Sequence, residues 1–248
     1  GDGLCSMSCP MGNNTGEMIH DLRQASLPKG CMGYKIGDFA AKNLHNITGV
    51  FRPVLSMANF AGKILGDGGV NAIGGALHKV GVPLWTPSLP GAFYSPKVAA
   101  QASERKVVYF PSCINQTLGQ SREKGKKVET LVDTIIALCN KAGYEVIFPK
   151  NMKKLCCGMI WESKGMPDIA DRKTAELEKA LLEASENGKY PVLCDQSPCL
   201  HRMRDHIKSM HLYEPAEFIY EFLAPNLEFT QTDETIAVHV TCSLRRMG

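Results

Sequence analysis

The sequence predicts a mixed α/β fold, mainly helical at the N-terminus and then built on a mostly parallel sheet. Three observations support it. From residue 107 onward, short β-branched and aromatic runs alternate with stretches of helical periodicity. The stretches between these runs are long enough for the crossover helices that parallel neighbours require. Cysteines recur just past the predicted strand ends, where open α/β sheets gather their functional groups.

The elements can be justified in chain order. Residues 1–100 hold no convincing strand alternation; 16–24 and 36–44 read as short helices and 54–64 as a longer one. Gly62, Gly66, Gly68, Gly69, Gly74, Gly75 and Gly81 then interrupt a weakly apolar stretch, and Pro83, Pro87, Pro90 and Pro96 mark an extended connector. Val107-Val108-Tyr109-Phe110 is a short buried strand. Val128, Leu131, Val132, Ile135 and Cys139 fall at helical spacing, giving a helix that ends near Gly143. A second strand over 144–148 closes at Pro149. A helix over 170–184, a strand over 190–193, helices over 203–210 and 216–223, and a fourth strand over 235–240 complete the pattern. The expected units are therefore 1–100 (a helical part with a Gly/Pro-rich connector), 101–233 (a Rossmann-like α/β domain) and 234–248 (the start of a second, truncated repeat). That repeat is weak: Phe110-Pro111-Ser112-Cys113 and His239-Val240-Thr241-Cys242 each fall at the end of a predicted strand, and Gly119 and Gly248 lie six residues past their cysteines. The chain opens within a cysteine motif without an initiator Met, so it is expected to be a piece of a longer protein.

Composition narrows the function classes. The chain has 248 residues, 44% hydrophobic and 21% charged, which excludes a disordered or tail-type polypeptide. A formal charge of +3 is too small a basic bias for a nucleic-acid binder, and no motif of that class occurs. No apolar run is long enough to span a bilayer and no leader pattern opens the chain, so the expected location is cytoplasmic.

The distinguishing feature is ten cysteines. Cys113, Cys156, Cys157, Cys194, Cys199 and Cys242 sit at predicted strand ends or turns, and in a parallel sheet all six would crowd one edge. The adjacent pair in Cys156-Cys157-Gly158 is the most specific element, since a turn with a permissive glycine can point both sulfurs at one site. Soft thiolates select iron–sulfur clusters, zinc or copper(I). Cys5-x3-Cys9-Pro10 matches the closing half of a bacterial ferredoxin run, which tips the balance from zinc toward iron and sulfide. Cys139 lies on an apolar helix stripe and reads as core, and Cys31 is left unassigned. His201, His206 and His211 read as surface or structural, and Met159 and Trp161 as a dry wall beside the cysteine pair. Gly66-Asp67-Gly68-Gly69 lacks the third glycine and preceding strand of a dinucleotide loop, and Gly62-Lys63-Ile64 lacks the hydroxyl residue of a P-loop.

These motifs resemble a known family. Asp2-Gly3-Leu4-Cys5-x3-Cys9-Pro10-x4-Thr15-Gly16 resembles the end of the ferredoxin segment in FAD-linked D-lactate dehydrogenases with iron–sulfur domains. Phe110-Pro111-Ser112-Cys113, Ala142-Gly143-Tyr144-Glu145-Val146, Leu155-Cys156-Cys157-Gly158, Ser163-Lys164-Gly165 and Ser197-Pro198-Cys199 resemble the cysteine-rich CCG domain. Those enzymes share that domain with the iron–sulfur subunit of glycolate oxidase, with anaerobic glycerol-3-phosphate dehydrogenase and with heterodisulfide reductase. His239-x2-Cys242-x2-Arg245-x2-Gly248 resembles the opening of a second CCG repeat, with Arg245 a candidate to offset thiolate charge.

The resemblance implies electron transfer from a flavin domain of the same parent chain, where FAD oxidises D-lactate or a similar 2-hydroxy acid, to a quinone, cytochrome or other acceptor. It also implies at most peripheral contact with the inner face of the cytoplasmic membrane. Cys113, Cys156, Cys157 and Cys199 would hold a [4Fe–4S] cluster. Cys5 and Cys9 would belong to a ferredoxin site completed upstream, and Cys242 to a second CCG site completed downstream. The family's fullest form ends in C-x2-C, whereas here the spacing is Cys194-x4-Cys199 with Gln196 in the intervening place. Cys194 is thus either a substitute ligand or a strand-end thiol, and a five-cysteine, non-cubane cluster is put in doubt. Two other readings stay open: a zinc-bound structural or interaction module, and thiol–disulfide chemistry at Cys156-Cys157.

Overall fold

A computed structural model describes residues 6, 9–78, 89–120, 129–231 and 233–247. Three helices lead: α1 (Thr15–Ser26), α2 (Met32–Lys42) and α3 (Leu44–His78). Asn14 caps α1, its side chain accepting from the N–H groups of Gly16 and Glu17. The sulfur of Cys31 caps α2, accepting the Tyr34 N–H at 3.4 Å, a role that sequence spacing did not assign. α3 runs well past the helix expected over 54–64. Its glycines weaken a helix without forbidding it, and only Gly66, at φ 68°, departs from helical geometry and kinks the element. The Gly66-Asp67-Gly68-Gly69 run is therefore part of a helix.

The sheet follows. β1 (Lys106–Phe110) leads through α4 (Leu131–Lys141) to β2 (Glu145–Ile147). A 3-10 turn (Met152–Lys154), the short α5 (Met159–Glu162) and the long α6 (Pro167–Ala184) then lead to β3 (Val192–Cys194), and α7 (Ser197–His206) to β4 (Leu212–Tyr213). The strand order is β2-β1-β3-β4, and all pairs are parallel, with Val107 beside Val146, Tyr109 beside Leu193 and Leu193 beside Tyr213. The chain leaves β1 toward one side of the sheet and β3 toward the other, so the connections diverge between these two strands. This topological switch point is where a parallel sheet opens a crevice at its carboxyl edge.

Period-two alternation divides the sheet into two apolar layers. Val108, Phe110, Val192 and Cys194 face a core shared with Ile169, Leu177, Leu200, Met203 and the adjacent cysteines. Val107, Tyr109, Val146 and Leu193 face Val132, Ile136, Cys139 and Phe218. The helical N-terminal part docks on the first layer. Ala41 of α2 enters that core, the indole N–H of Trp161 donates to the Gly37 carbonyl at 3.0 Å, and Arg172 pairs with Asp38 at 2.6 Å.

Two sequence expectations are corrected. Residues 235–240 form no strand: 233–241 have no regular secondary structure, and Ile236 and Val238 are exposed. The edge beside β3 is taken by Leu212–Tyr213, which follows α7 directly, so the alternation of 235–240 finds no partner among the described residues. The helix expected over 203–210 lies earlier, at Ser197–His206. Pro198 at its first turn supplies a preset φ where no N–H is needed, and Ile207 leaves helical geometry at φ −98°, ψ 110°. After β4, α8 (Pro215–Phe218) carries a capping box between Glu214 and Glu217 and continues into a π-turn, and α9 (Cys242–Met247) ends the described chain.

Candidate metal centre

The crevice at the switch point is lined with sulfur. Cys113 lies in the turn after β1. Cys156 and Cys157 lie between the 3-10 turn and α5, Cys194 is the last residue of β3, and Cys199 sits in the first turn of α7. Cys156, Cys157 and Cys194 are buried, Cys113 and Cys199 partly buried, and all are free thiols. They interact in a row: Cys113 with Cys156, Cys156 with Cys157, and Cys157 with Cys199. Cys194 senses Cys157 and Cys113 electrostatically, and Cys199 senses Cys194, Cys113 and Cys156.

Backbone N–H groups point at four of these sulfurs. Ile114 serves Cys113, Gly158 serves Cys156, Met159 serves Cys157 and Gln196 serves Cys194. Three of the four come from two residues downstream, so the turns themselves supply the donors. Such dipoles favour the thiolate. In the metal-free protein other forces prevail. Hydrogen bonding to Cys156, and then burial, pushes the Cys113 thiol far up. Cys113 draws Cys156 down, but Cys157 and burial carry it up to about 12. Cys156 lowers Cys157 and Cys157 lowers Cys199, yet both end raised by burial and their other sulfur neighbours. Burial alone is the main cause for Cys194. The thiols are therefore neutral at pH 7, and binding a metal requires that they give up protons.

The scaffold around the row is specific. Gly158 has φ 88°, and a Cβ there would lie 2.4 Å from the Ala170 carbonyl oxygen; only glycine fits this turn. The Cys157 carbonyl accepts from Thr174 Oγ1 at 2.8 Å and from Arg202 Nε at 3.1 Å. Arg202 is itself buried and pairs with Asp171 at 2.6 Å and with Glu162. The Asp195 carboxylate accepts the Ser112 N–H at 2.8 Å and the Tyr109 hydroxyl at 2.7 Å. Thr117 Oγ1 donates to the Cys113 carbonyl at 2.7 Å. From α3, Arg52 Nη2 donates to the Gln116 carbonyl at 3.0 Å. A cavity of about 230 Å³ borders the row through Met159 and Pro198 and is walled by Glu162, His201 and Arg202.

The structure thus brings together five of the eight cysteines that sequence spacing singled out: Cys113, Cys156, Cys157, Cys194 and Cys199. Cys5 lies outside the described residues. Cys9 is in a separate turn, where the N–H groups of Asn13, Met11 and Gly12 lower its thiol. Cys242 begins α9 and is exposed, although its neighbour Ser243 reaches Ser197 Oγ at 2.7 Å. The expected crowding of six is therefore a crowding of five. Cys139 is buried in the opposite layer, as expected. Trp161 is buried and Met159 partly so beside the pair. His201 pairs with Asp205 at 3.0 Å, the Arg202 carbonyl accepts from His206 Nδ1 at 3.1 Å, and His211 lies near Glu217. His239 and Arg245 are exposed. Sequence reasoning missed Asp195, Thr174 and Arg202; a lone polar residue beside a cysteine or within a helix carries no spacing signal, and only the fold reveals the carbonyls and N–H groups they hold.

Among the described residues, no three His, Cys, Asp or Glu side chains converge on one point where a single ion would sit. This donor set, all thiol, buried and backed by N–H groups, fits a soft, sulfur-ligated centre. No described helix is long and apolar enough to cross a membrane. No protein-family model, curated protein or solved structure matches the chain.

Proposed function

We propose that the sulfur row at the switch point holds an iron–sulfur cluster, [4Fe–4S] in type, and that the chain is an electron-transfer segment of a flavin-linked oxidoreductase acting on D-lactate or a similar 2-hydroxy acid. The observation that carries this is the alignment of Cys113, Cys156, Cys157 and Cys199 in one buried crevice. Bound there, the cluster would supply one-electron storage between a flavin and an acceptor. The residues of this chain hold and insulate it. Gly158 lets two consecutive sulfurs face one side, Asp195 fixes the turn that carries Cys113, and Thr174 with Arg202 fixes the carbonyl of Cys157. Trp161 and Met159 keep water off the sulfurs, which favours directed electron exchange over loss to solvent. The motif resemblance supplies the flavin partner, the 2-hydroxy acid and a quinone or cytochrome acceptor; the crevice supports only the cluster itself.

Four such thiols could equally hold a single zinc; the Cys5-x3-Cys9-Pro10 spacing and the CCG resemblance are what favour iron and sulfide. Anaerobic reconstitution with iron and sulfide, followed by metal analysis and EPR, tests the proposal. About four irons and four sulfides per chain are expected. A colourless protein with one zinc per chain would overturn it in favour of a structural module.

A further inference from the structure

Buried charges in a folded chain are normally paired, and among the described residues all but one of them are. Arg202 meets Asp171 and Glu162, and Lys173 meets Glu176. Asp195 takes the Ser112 N–H and the Tyr109 hydroxyl, and Asp133 takes the N–H groups of Lys97 and Val98 with the Thr130 hydroxyl. The exception is Arg52 of α3, only 6% exposed. Its Nη2 donates to the Gln116 carbonyl and its Nε has no hydrogen-bond partner. No carboxylate among the described residues acts on it, and burial lowers its pKa.

This guanidinium reaches one particular turn. The Gln116 N–H donates to the Ser112 carbonyl at 2.9 Å and the Leu118 N–H to the Ile114 carbonyl at 2.7 Å, so the chain after β1 winds helically for about a turn. Cys113 lies at its start. Asp195 holds the leading N–H of Ser112, and Arg52 holds the Gln116 carbonyl toward the other end. A carboxylate at the free N–H groups and a cation at the last carbonyls is the polarity such a turn favours. Three helical residues rise about 4.5 Å, which sets the guanidinium on the order of 10 Å from the Cys113 sulfur. Across protein, where screening is weaker than in water, a charge at that range is felt.

We infer that Arg52 is a positioning residue of the metal centre: it clamps the turn that carries Cys113, and its unpaired charge offsets the thiolates gathered in the crevice. The inference rests on reading the crevice as a cluster site. Four thiolates bring negative charge into a buried place, and the net charge around a cluster sets its potential. Arg202 is no substitute, because two carboxylates already answer it.

Three variants separate the clamp from the charge. Arg52→Lys keeps the charge and loses the fork, Arg52→Gln keeps a donor and loses the charge, and Arg52→Met loses both. In the metal-free chain, hydrogen exchange read by mass spectrometry should quicken at least tenfold over residues 114–118 in Arg52→Met, and stay unchanged over 132–139 of α4. No quickening, or the same quickening in both segments, would overturn the clamp. In reconstituted chains matched for iron, EPR at a fixed applied potential gives the ratio of reduced to oxidised cluster. That ratio should fall severalfold in Arg52→Gln and recover in Arg52→Lys, a change that loosened packing alone would not produce. An unchanged ratio in Arg52→Gln would overturn the charge role. A wild-type chain that takes up no cluster would instead overturn the electron-transfer reading, and the exchange comparison would still decide the clamp.

Discussion

The Asp195 carboxylate accepts the backbone N–H of Ser112 at 2.8 Å, joining residues 83 positions apart. It thereby ties the residue after β3 to the turn after β1, one position before Cys113. The same carboxylate takes the Tyr109 hydroxyl, so it anchors β1 from the layer opposite the sulfurs. Asp195→Ala should strand two buried donors and destabilise the fold by about 2–4 kcal/mol. Asp195→Asn keeps an acceptor for Ser112 and should cost less than half of that. Urea unfolding measures both, and equal losses would show that the carboxylate does not hold the turn.

Gly158→Ala should be more severe than its size suggests. The new Cβ would lie 2.4 Å from the Ala170 carbonyl oxygen at φ 88°, so the turn or α6 must move. A loss of about 2–4 kcal/mol and of iron uptake is expected. Retention of both in the variant would mean that the sulfur pair does not depend on this turn.

Replacing each cysteine by serine sorts ligands from bystanders. Cys113→Ser, Cys156→Ser, Cys157→Ser and Cys199→Ser should each reduce reconstituted iron at least severalfold and change the EPR signal. Cys139→Ser, in the opposite layer, should leave both intact. Cys194→Ser should retain iron, since the hydrogen-bonded sulfurs run Cys113, Cys156, Cys157, Cys199; a loss equal to that of Cys113→Ser would add it to the ligand set.

Cys139 also gives the metal-free protein a defined pH response. Burial raises its thiol to about 12, above its ordinary value near 9 in the unfolded chain. Above pH 9 the unfolded chain releases this proton while the folded chain keeps it, so its contribution is complete below pH 9 and is lost as pH rises toward 12. The difference in stability between wild type and Cys139→Ala should shrink by about 1.4 kcal/mol per pH unit above pH 9. Urea titrations in reductant and chelator, at pH 8 and pH 10, check it; a constant difference would mean the thiol titrates alike in both states.

Much of the fold was legible because it rests on local patterns. β1 was legible from four consecutive β-branched and aromatic residues, and α6 from its long period and charged outer face. What escaped was decided by competition between segments. Residues 235–240 alternate as a strand should, but the place beside β3 fell to Leu212–Tyr213, two residues too short to announce themselves. α3 ran through its glycines because helical bonds close within the segment, and a run of weak formers can still propagate. At the site, cysteine positions located the row while leaving out its supports. Arg202 looks like a surface residue of a polar helix until the fold seals it between Asp171, Glu162 and the Cys157 carbonyl.

The order β2-β1-β3-β4 sets the timetable of assembly as well as the place of the crevice. During synthesis β1, α4 and β2 are complete before β3 exists, and β3 must then pass to the far side of β1. Cys113, Cys156 and Cys157 accordingly emerge on a half-built sheet, while Cys199 arrives only with α7. A metal or oxidant that meets the nascent chain finds separate reactive thiols, whereas one that meets the finished chain finds a sealed row. The full set of sulfurs is thus assembled only after the last crossover has closed, and oxidation of the separate thiols before that point would lock a half-built sheet.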